Sequence, residues 1–400
     1  MRIGQSISGI LEVPNMDYEL TLRNTKTGFL IWRSGRREGG SWTANFLKLW
    51  RCYFAAASAD TATDTGNTSR TLLNPDDYAG GSRNFFAGKG AVNVGTYGIQ
   101  VGTSATAVTQ ADYALGTLIA TGSGAGQLNY QVGRDSGAPS ISSSSFSYTF
   151  GRDFSNASGG SITVKEIGLA VVSRYSGDTD GNFLVAHDLT GDVAVGDGQT
   201  LAVDYTLSFG TPYIRAWGAL LALCISESSA TTNPSWVNVN GGYDSNTDVL
   251  DASYSLMVPT KQTGNPSNNT MGLISPGSST TKGIVVGSAT TAVAVTDTKL
   301  GTLILDGSTS GKLVYQTGSC DAVVTSGSDS WVIVRRSFSN ISGGSVAVKE
   351  VGIHMDAATA VTISASTVKQ FLAFHKLTSS TVTVANLSTV PVDIQIKISL

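Results

Sequence analysis

Two stretches of this chain can be laid on one another without a gap, and that duplication limits its fold more than any composition does. Ile99 to Ile119, IQVGTSATAVTQADYALGTLI, matches Ile284 to Ile304, IVVGSATTAVAVTDTKLGTLI, at an offset of 185, with twelve of 21 positions identical. The match runs on through Gly122 and Gly307, Leu128 and Leu313, Tyr130 and Tyr315, and Phe146 and Trp331, after which the second copy drops one residue. Phe154 to Gly168, FSNASGGSITVKEIG, then matches Phe338 to Gly352, FSNISGGSVAVKEVG, at eleven of 15 positions. A third block, FLVAHDL from Phe183, pairs with FLAFHKL from Phe371. Chance does not place such blocks twice in one order, so the chain is expected to carry one unit twice.

Each copy closes on a segment of strict alternation, the mark of a strand with one buried face. In the first, Leu201, Val203, Tyr205, Leu207 and Phe209 share a face; in the second, Val390, Val392, Ile394, Ile396, Ile398 and Leu400 do. In SITVKEIGLAV the apolar phase changes parity at Lys165-Glu166, and it does so again at Lys349-Glu350. A bulge, or two strands meeting there, accounts for such a slip.

Before the first copy, Trp42, Phe46, Leu49, Trp50 and Tyr53 recur at helical spacing. In the weaker counterpart AWGALLALCI, Trp217 and Leu221 are matched to Trp42 and Phe46, so each unit is expected to open with a short helix. The first forty residues have no partner in the second half; YELTLRN and FLIW flank Thr25 to Gly28 as a hairpin would. The polar stretches 58–98 and 227–282 do not align and are expected to be surface insertions. The expected fold is mainly β: two tandem antiparallel β-sandwiches of jelly-roll type, each with one helix, over residues 41–212 and 213–400, after an N-terminal hairpin arm over 1–40.

Composition agrees, being rich in Gly, Ser, Thr, Ala and Val with only 14% charged residues. A net charge of −3 offers no basic excess for a phosphate backbone, so nucleic acid is not an expected partner. The longest apolar run, Ala216 to Ile225, is about half of what crossing a bilayer takes. The opening residues lack the basic end and apolar run of a secretory signal, so synthesis in a cytoplasm is expected, with Cys52, Cys224 and Cys320 reduced. Sequons at Asn67, Asn156, Asn340 and Asn386 are then turn chemistry rather than glycosylation sites.

No reaction centre emerges from the motifs, and no cofactor or metal is expected. Gly307 to Lys312 is one residue short of a phosphate loop and is followed by Leu313 where a magnesium-binding hydroxyl belongs. Asp178-Thr179-Asp180-Gly181-Asn182 opens like a calcium loop, but Phe183 stands where the loop needs glycine. His187, His354 and His375 lack metal-ligand spacing; the equivalent pair His187 and His375 reads as a shared strand-end hydrogen bond. Glu166 and Glu350, inside apolar runs, are expected to form internal ion pairs with Arg152 and Arg336. Trp236 and Tyr243, in SWVNVNGGY, are the candidate aromatics for a surface contact, with core packing as their other reading.

The FSNxSGGSxxVKE block, the FLxxHxL block with its closing strand, and the NFLKLW helix after Ser41-Trp42 resemble tailed-bacteriophage virion proteins of the tail or another particle surface. The resemblance covers most of both copies, although ALLALC replaces NFLKLW in the second. It implies a non-enzymatic, homo-oligomeric structural component contacting other virion proteins and assembled in a bacterial cytoplasm, without fixing its layer in the particle; the tail, neck, baseplate or a fibre adaptor is the leading expectation. Two other roles stay open: a module binding a host glycan or receptor, and a capsid decoration protein.

Overall fold

The computed structural model describes residues 2–3, 5–13, 16–39, 42–55, 60–73, 87–135, 139–176, 179–214, 217–218, 221, 225, 236–239, 242–244, 249–251, 254–257, 274–362 and 365–400. The chain is mainly β, in several sheets. The elements that matter here are β1 (Ile7–Glu12), β2 (Met16–Asn24), β3 (Leu30–Arg33), α1 (Ala44–Ala55), β4 (Gly98–Gly102), β5 (Phe146–Ser155), β6 (Ile162–Tyr175), β7 (Thr179–Val195) and β8 (Gln199–Phe209). They are followed by β9 (Gly283–Gly287), β10 (Asp329–Asn340), β11 (Val346–Thr362), β12 (Ala365–Val384) and β13 (Ser388–Ser399).

In the first copy β5, β8, β2 and β3 lie side by side in one sheet, and β7, β6 and β4 form another. In the second, β10 pairs with β13, and β9 and β12 flank β11. Alternation dictates which faces meet. Leu201, Val203, Tyr205 and Leu207 are fully buried, and Val390 through Ile398 bury the same parity of β13. Leu400, expected on that face, is 44% exposed, because the core ends at Ile398. The buried apolar side chains of both copies form one continuous cluster, each large one contributing roughly 1.5–3 kcal/mol.

The first forty residues are built into both copies. β2 pairs antiparallel with β8 and, through the Thr25–Gly28 turn, with β3, whereas β1 pairs with β13. That last pairing is parallel, as is Arg2–Ile3 on Ser388–Thr389, so the second copy's sheet is not purely antiparallel as expected. The parity slips are bulges: Lys165 is skipped between the pairs Val164–Val193 and Glu166–Leu189, and Lys349 between Val348–Val382 and Glu350–Leu377.

Helix α1 buries Phe46, Leu47, Leu49, Trp50 and Cys52. Its body lies against β7 of the first copy and β10 of the second, and Arg51 Nη2 donates to Cys320 O at 3.2 Å. In the counterpart stretch, residues 217, 218, 221 and 225 are described as helical, with Trp217, Leu221 and Ile225 buried. The helices correspond one turn away from the match read in the sequence. Trp42 bridges Ala186 and Tyr213 bridges Phe374, the residues before His187 and His375. Thr43 N then donates to Val185 O and Ile214 N to Ala373 O. Trp217 therefore takes the place of Phe46, not Trp42: a helical repeat looks alike when moved by four residues, and only the strand contact fixes the register.

Candidate functional site

The alternation of β6 and β11 decides where the buried charges go. Glu166 keeps the parity of Ile162 and Val164, and Glu350 that of Val346 and Val348, so both point inward, each 0% exposed, opposite a glycine of the neighbouring strand. Gly102 faces Glu166 and Gly287 faces Glu350; a Cβ at either would collide with the carboxylate oxygen Oε1. Only glycine leaves room for an acid at that position.

Each carboxylate is fully hydrogen-bonded. Glu166 Oε1 accepts from Ser104 N at 3.0 Å and Thr117 N at 2.8 Å, and Oε2 from Gly116 N at 2.9 Å and His187 Nε2 at 2.9 Å. Glu350 repeats this with Ala289 N at 3.1 Å, Thr302 N at 2.9 Å, Gly301 N at 3.0 Å and His375 Nε2 at 2.9 Å. On the far side of each imidazole, Nδ1 meets Asp112 Oδ2 at 2.7 Å in the first copy and Asp297 Oδ2 at 2.8 Å in the second. Thr109 holds Asp112 through its backbone N and its hydroxyl.

Burial alone would push the His187 pKa down, but hydrogen bonds and charge from Asp112 and Glu166 outweigh it and raise it to about 9; His375 behaves alike, at about 9. Burial pushes Glu166 and Glu350 up, yet the imidazolium and the backbone N–H groups hold both below the usual carboxylate range. At neutral pH each site is therefore an imidazolium donating both protons, one to each flanking carboxylate. With both ring nitrogens engaged, the histidine presents no free lone pair to a substrate. The arrangement ties the loop carrying Asp112 to β6 and β7.

Arg152 and Arg336 lie elsewhere, correcting the expected Glu–Arg pairs. Arg152 is fully buried and donates to the carbonyls of Gln131, Tyr97, Ile99, Ala91 and Val94 at 2.6–3.2 Å. Arg336 donates to those of Gln316, Lys282, Ile284 and Pro276. Their guanidinium groups stack over Tyr130 and Tyr315 at 4.8 and 4.7 Å, and burial lowers both pKa values to about 10. Five donors in a fixed fork suit arginine to gathering several carbonyls, whereas Glu166 already has a cation in His187.

The histidines are thus more than strand-end residues: His187 and His375 sit inside β7 and β12, opposite Gly168 and Gly352. His354 donates from Nδ1 to Thr280 O at 3.1 Å, and burial drives its pKa down to about 4. The shared asparagines also turn inward. Asn156 Nδ2 donates to Gly160 O and Val195 O while Oδ1 accepts from Ser158, and Asn340 repeats this with Gly344, Val384 and Ser342. Among the described residues no group of His, Cys, Asp and Glu is arranged to hold a metal ion.

No protein-family model, curated protein or solved structure matches this chain. Trp236 and Tyr243 lie on short strands, Trp236 opposite Met257 and Tyr243 opposite Leu250 and Gln370; their side chains lie outside the described residues, as does Cys224. The Asp–His–Glu site was missed in the sequence although its signal was present: all three residue types are identical between the copies, as are Gly102 and Gly116 with Gly287 and Gly301.

Proposed function

We propose that this protein is a non-enzymatic structural subunit of a bacteriophage particle, built as two tandem β-sandwiches and working through contacts with copies of itself and with neighbouring particle proteins. The phage setting is supported by the sequence resemblance of the FSNxSGGS and FLxxHxL blocks. The observation that carries the assembly role is the edge strand β3. Leu30, Ile31 and Trp32 are 47%, 45% and 37% exposed on a strand paired on one side by β2, and Phe29, just before it, is 73% exposed.

Among the described residues no strand covers the other side of β3, and a consecutive apolar run on such a sheet edge is what soluble monomers avoid and what strand-to-strand assembly uses. Its charged neighbours are already matched, Arg33 with Glu19 and Arg36 with Asp17, so two copies can approach edge to edge without repulsion between unpaired arginines. Sedimentation velocity tests this. The wild-type chain should self-associate with rising concentration and Ile31→Lys should stay monomeric; a wild type that is monomeric throughout overturns the assembly role. Ordered copies of the chain in a cryo-EM map of intact particles test the phage setting, and their absence from the particle overturns it.

A further inference from the structure

The two copies differ in how the space between their sheets is filled. In the first, Tyr205 on β8 stands opposite Tyr18 on β2, both buried, with ring centroids 6.4 Å apart. Tyr205 donates to Asp188 Oδ2 at 3.0 Å and Tyr18 to Leu189 O at 2.9 Å. Strand register carries these positions into the second copy. Arg152 pairs with Val203 and Arg336 with Val392, so Ile394 is the counterpart of Tyr205, and its neighbour on β1 is Gly9. His187 and His375 are equivalent, so Lys376 stands for Asp188 and Leu377 for Leu189.

Two phenol rings are thus replaced by a branched aliphatic side chain and a hydrogen atom, and a carboxylate by an ammonium group. The space left is a cavity of about 530 Å³, inside the roughly 300–1,000 Å³ range of small-molecule sites. Val351, Phe374 and Ile394 supply apolar walls, and Thr378 and Ser379 line it with hydroxyl-bearing side chains. The Thr378 hydroxyl oxygen is buried without a hydrogen-bond partner. Asp393, also lining the cavity, is matched by Arg335 at 2.9 Å. Lys376 is exposed and makes no ion pair among the described residues.

We infer that this cavity binds a hydroxylated six-membered ring carrying a carboxylate, the chemistry of a sugar acid. The apolar walls take the face of the ring, the serine and threonine hydroxyls take its hydroxyl groups, and Lys376 takes the acid. The first copy cannot bind this way, because Tyr18 and Tyr205 occupy the same volume and Asp188 repels an anion. The inference does not rest on the assembly role: sugar-acid binding and self-association succeed or fail separately.

Saturation-transfer NMR and calorimetry on the full chain test it with glucuronic acid, glucose and benzoate as probes. Glucuronic acid should bind, glucose more weakly, and Lys376→Gln should weaken glucuronic acid at least tenfold while leaving glucose unchanged. Gly9→Tyr, which restores the ring of the first copy, should abolish both. Neither change threatens the fold, since Lys376 is exposed and a Cβ at Gly9 meets nothing within 4 Å. Absence of glucuronic acid binding at tens of millimolar overturns the proposal. So does binding indifferent to both substitutions, or binding of benzoate without glucuronic acid.

Discussion

His187 Nε2 lies 2.9 Å from Glu166 Oε2, and the corresponding atoms of His375 and Glu350 are also 2.9 Å apart. Each pair is buried, and each carboxylate keeps three backbone N–H donors besides the imidazolium. Removing the cation strands a negative charge in the core, which generally costs about 3–5 kcal/mol. His187→Gln should lose about that much in urea unfolding, and His375→Gln a similar amount. A loss under 1 kcal/mol would show that the backbone donors alone hold the acid.

The same sites fix a pH dependence. The folded pKa of His187 and of His375, about 9, lies above the ordinary 6.5, so their contribution is complete below pH 6.5 and is lost as pH rises through 9. His354 runs the other way: its folded value of about 4 lies below 6.5, so the unfolded chain takes up a proton first and stability falls as pH drops from 6.5 towards 4. Stability should therefore peak near pH 6.5. The alkaline limb should fall at up to about 1.4 kcal/mol per pH unit for each histidine, and chemical denaturation at a series of pH values should show that limb halved in His375→Gln.

Gly102→Ala places a methyl group against Glu166 Oε1 and the carbonyl of Thr117, and Gly287→Ala does the same to Glu350 and Thr302. Overpacking of this kind costs about 1–3 kcal/mol. Gly9→Ala is the matched control, with open space around its Cβ, and should stay within about 0.5 kcal/mol of wild type. Thermal unfolding of the three variants side by side separates collision from a general intolerance of alanine in strands.

What could be read in advance follows from the kind of signal. Alternation in LAVDYTLSF and VPVDIQIKISL names buried faces residue by residue, because period two survives in any half-buried strand, and the parity slip at Lys165-Glu166 marks a bulge that the register shows. Which cation meets Glu166 was not readable: Arg152 and His187 are both internal to strands, and only the fold brings His187 close. Asp112, Glu166 and His187 each recur in the second copy, but identity between copies does not say that they touch. The helix match slipped by one turn because periodicity carries no absolute register, whereas the bridges Trp42–Ala186 and Tyr213–Phe374 do. The parallel pairing of β1 with β13 joins residues at opposite ends of the sequence, where no local pattern could announce it.

Arg152 and Arg336 offer the sharpest comparison of the copies. Arg152 satisfies five carbonyl oxygens and Arg336 four, from loop residues and from Ile99 on β4 and Ile284 on β9, acceptors that would otherwise lack this donor. Lysine keeps the charge but has three donors on one atom and cannot span the fork. Arg152→Lys should therefore destabilise by about 2–4 kcal/mol through acceptors left unsatisfied, and amide exchange should quicken around Ala91 to Ile99 before it does around Pro276 to Ile284. Arg336→Lys should reverse that order. Because the apolar core runs without a break through both copies, each variant should still unfold in one transition, and two resolved transitions would show that the copies are energetically separate.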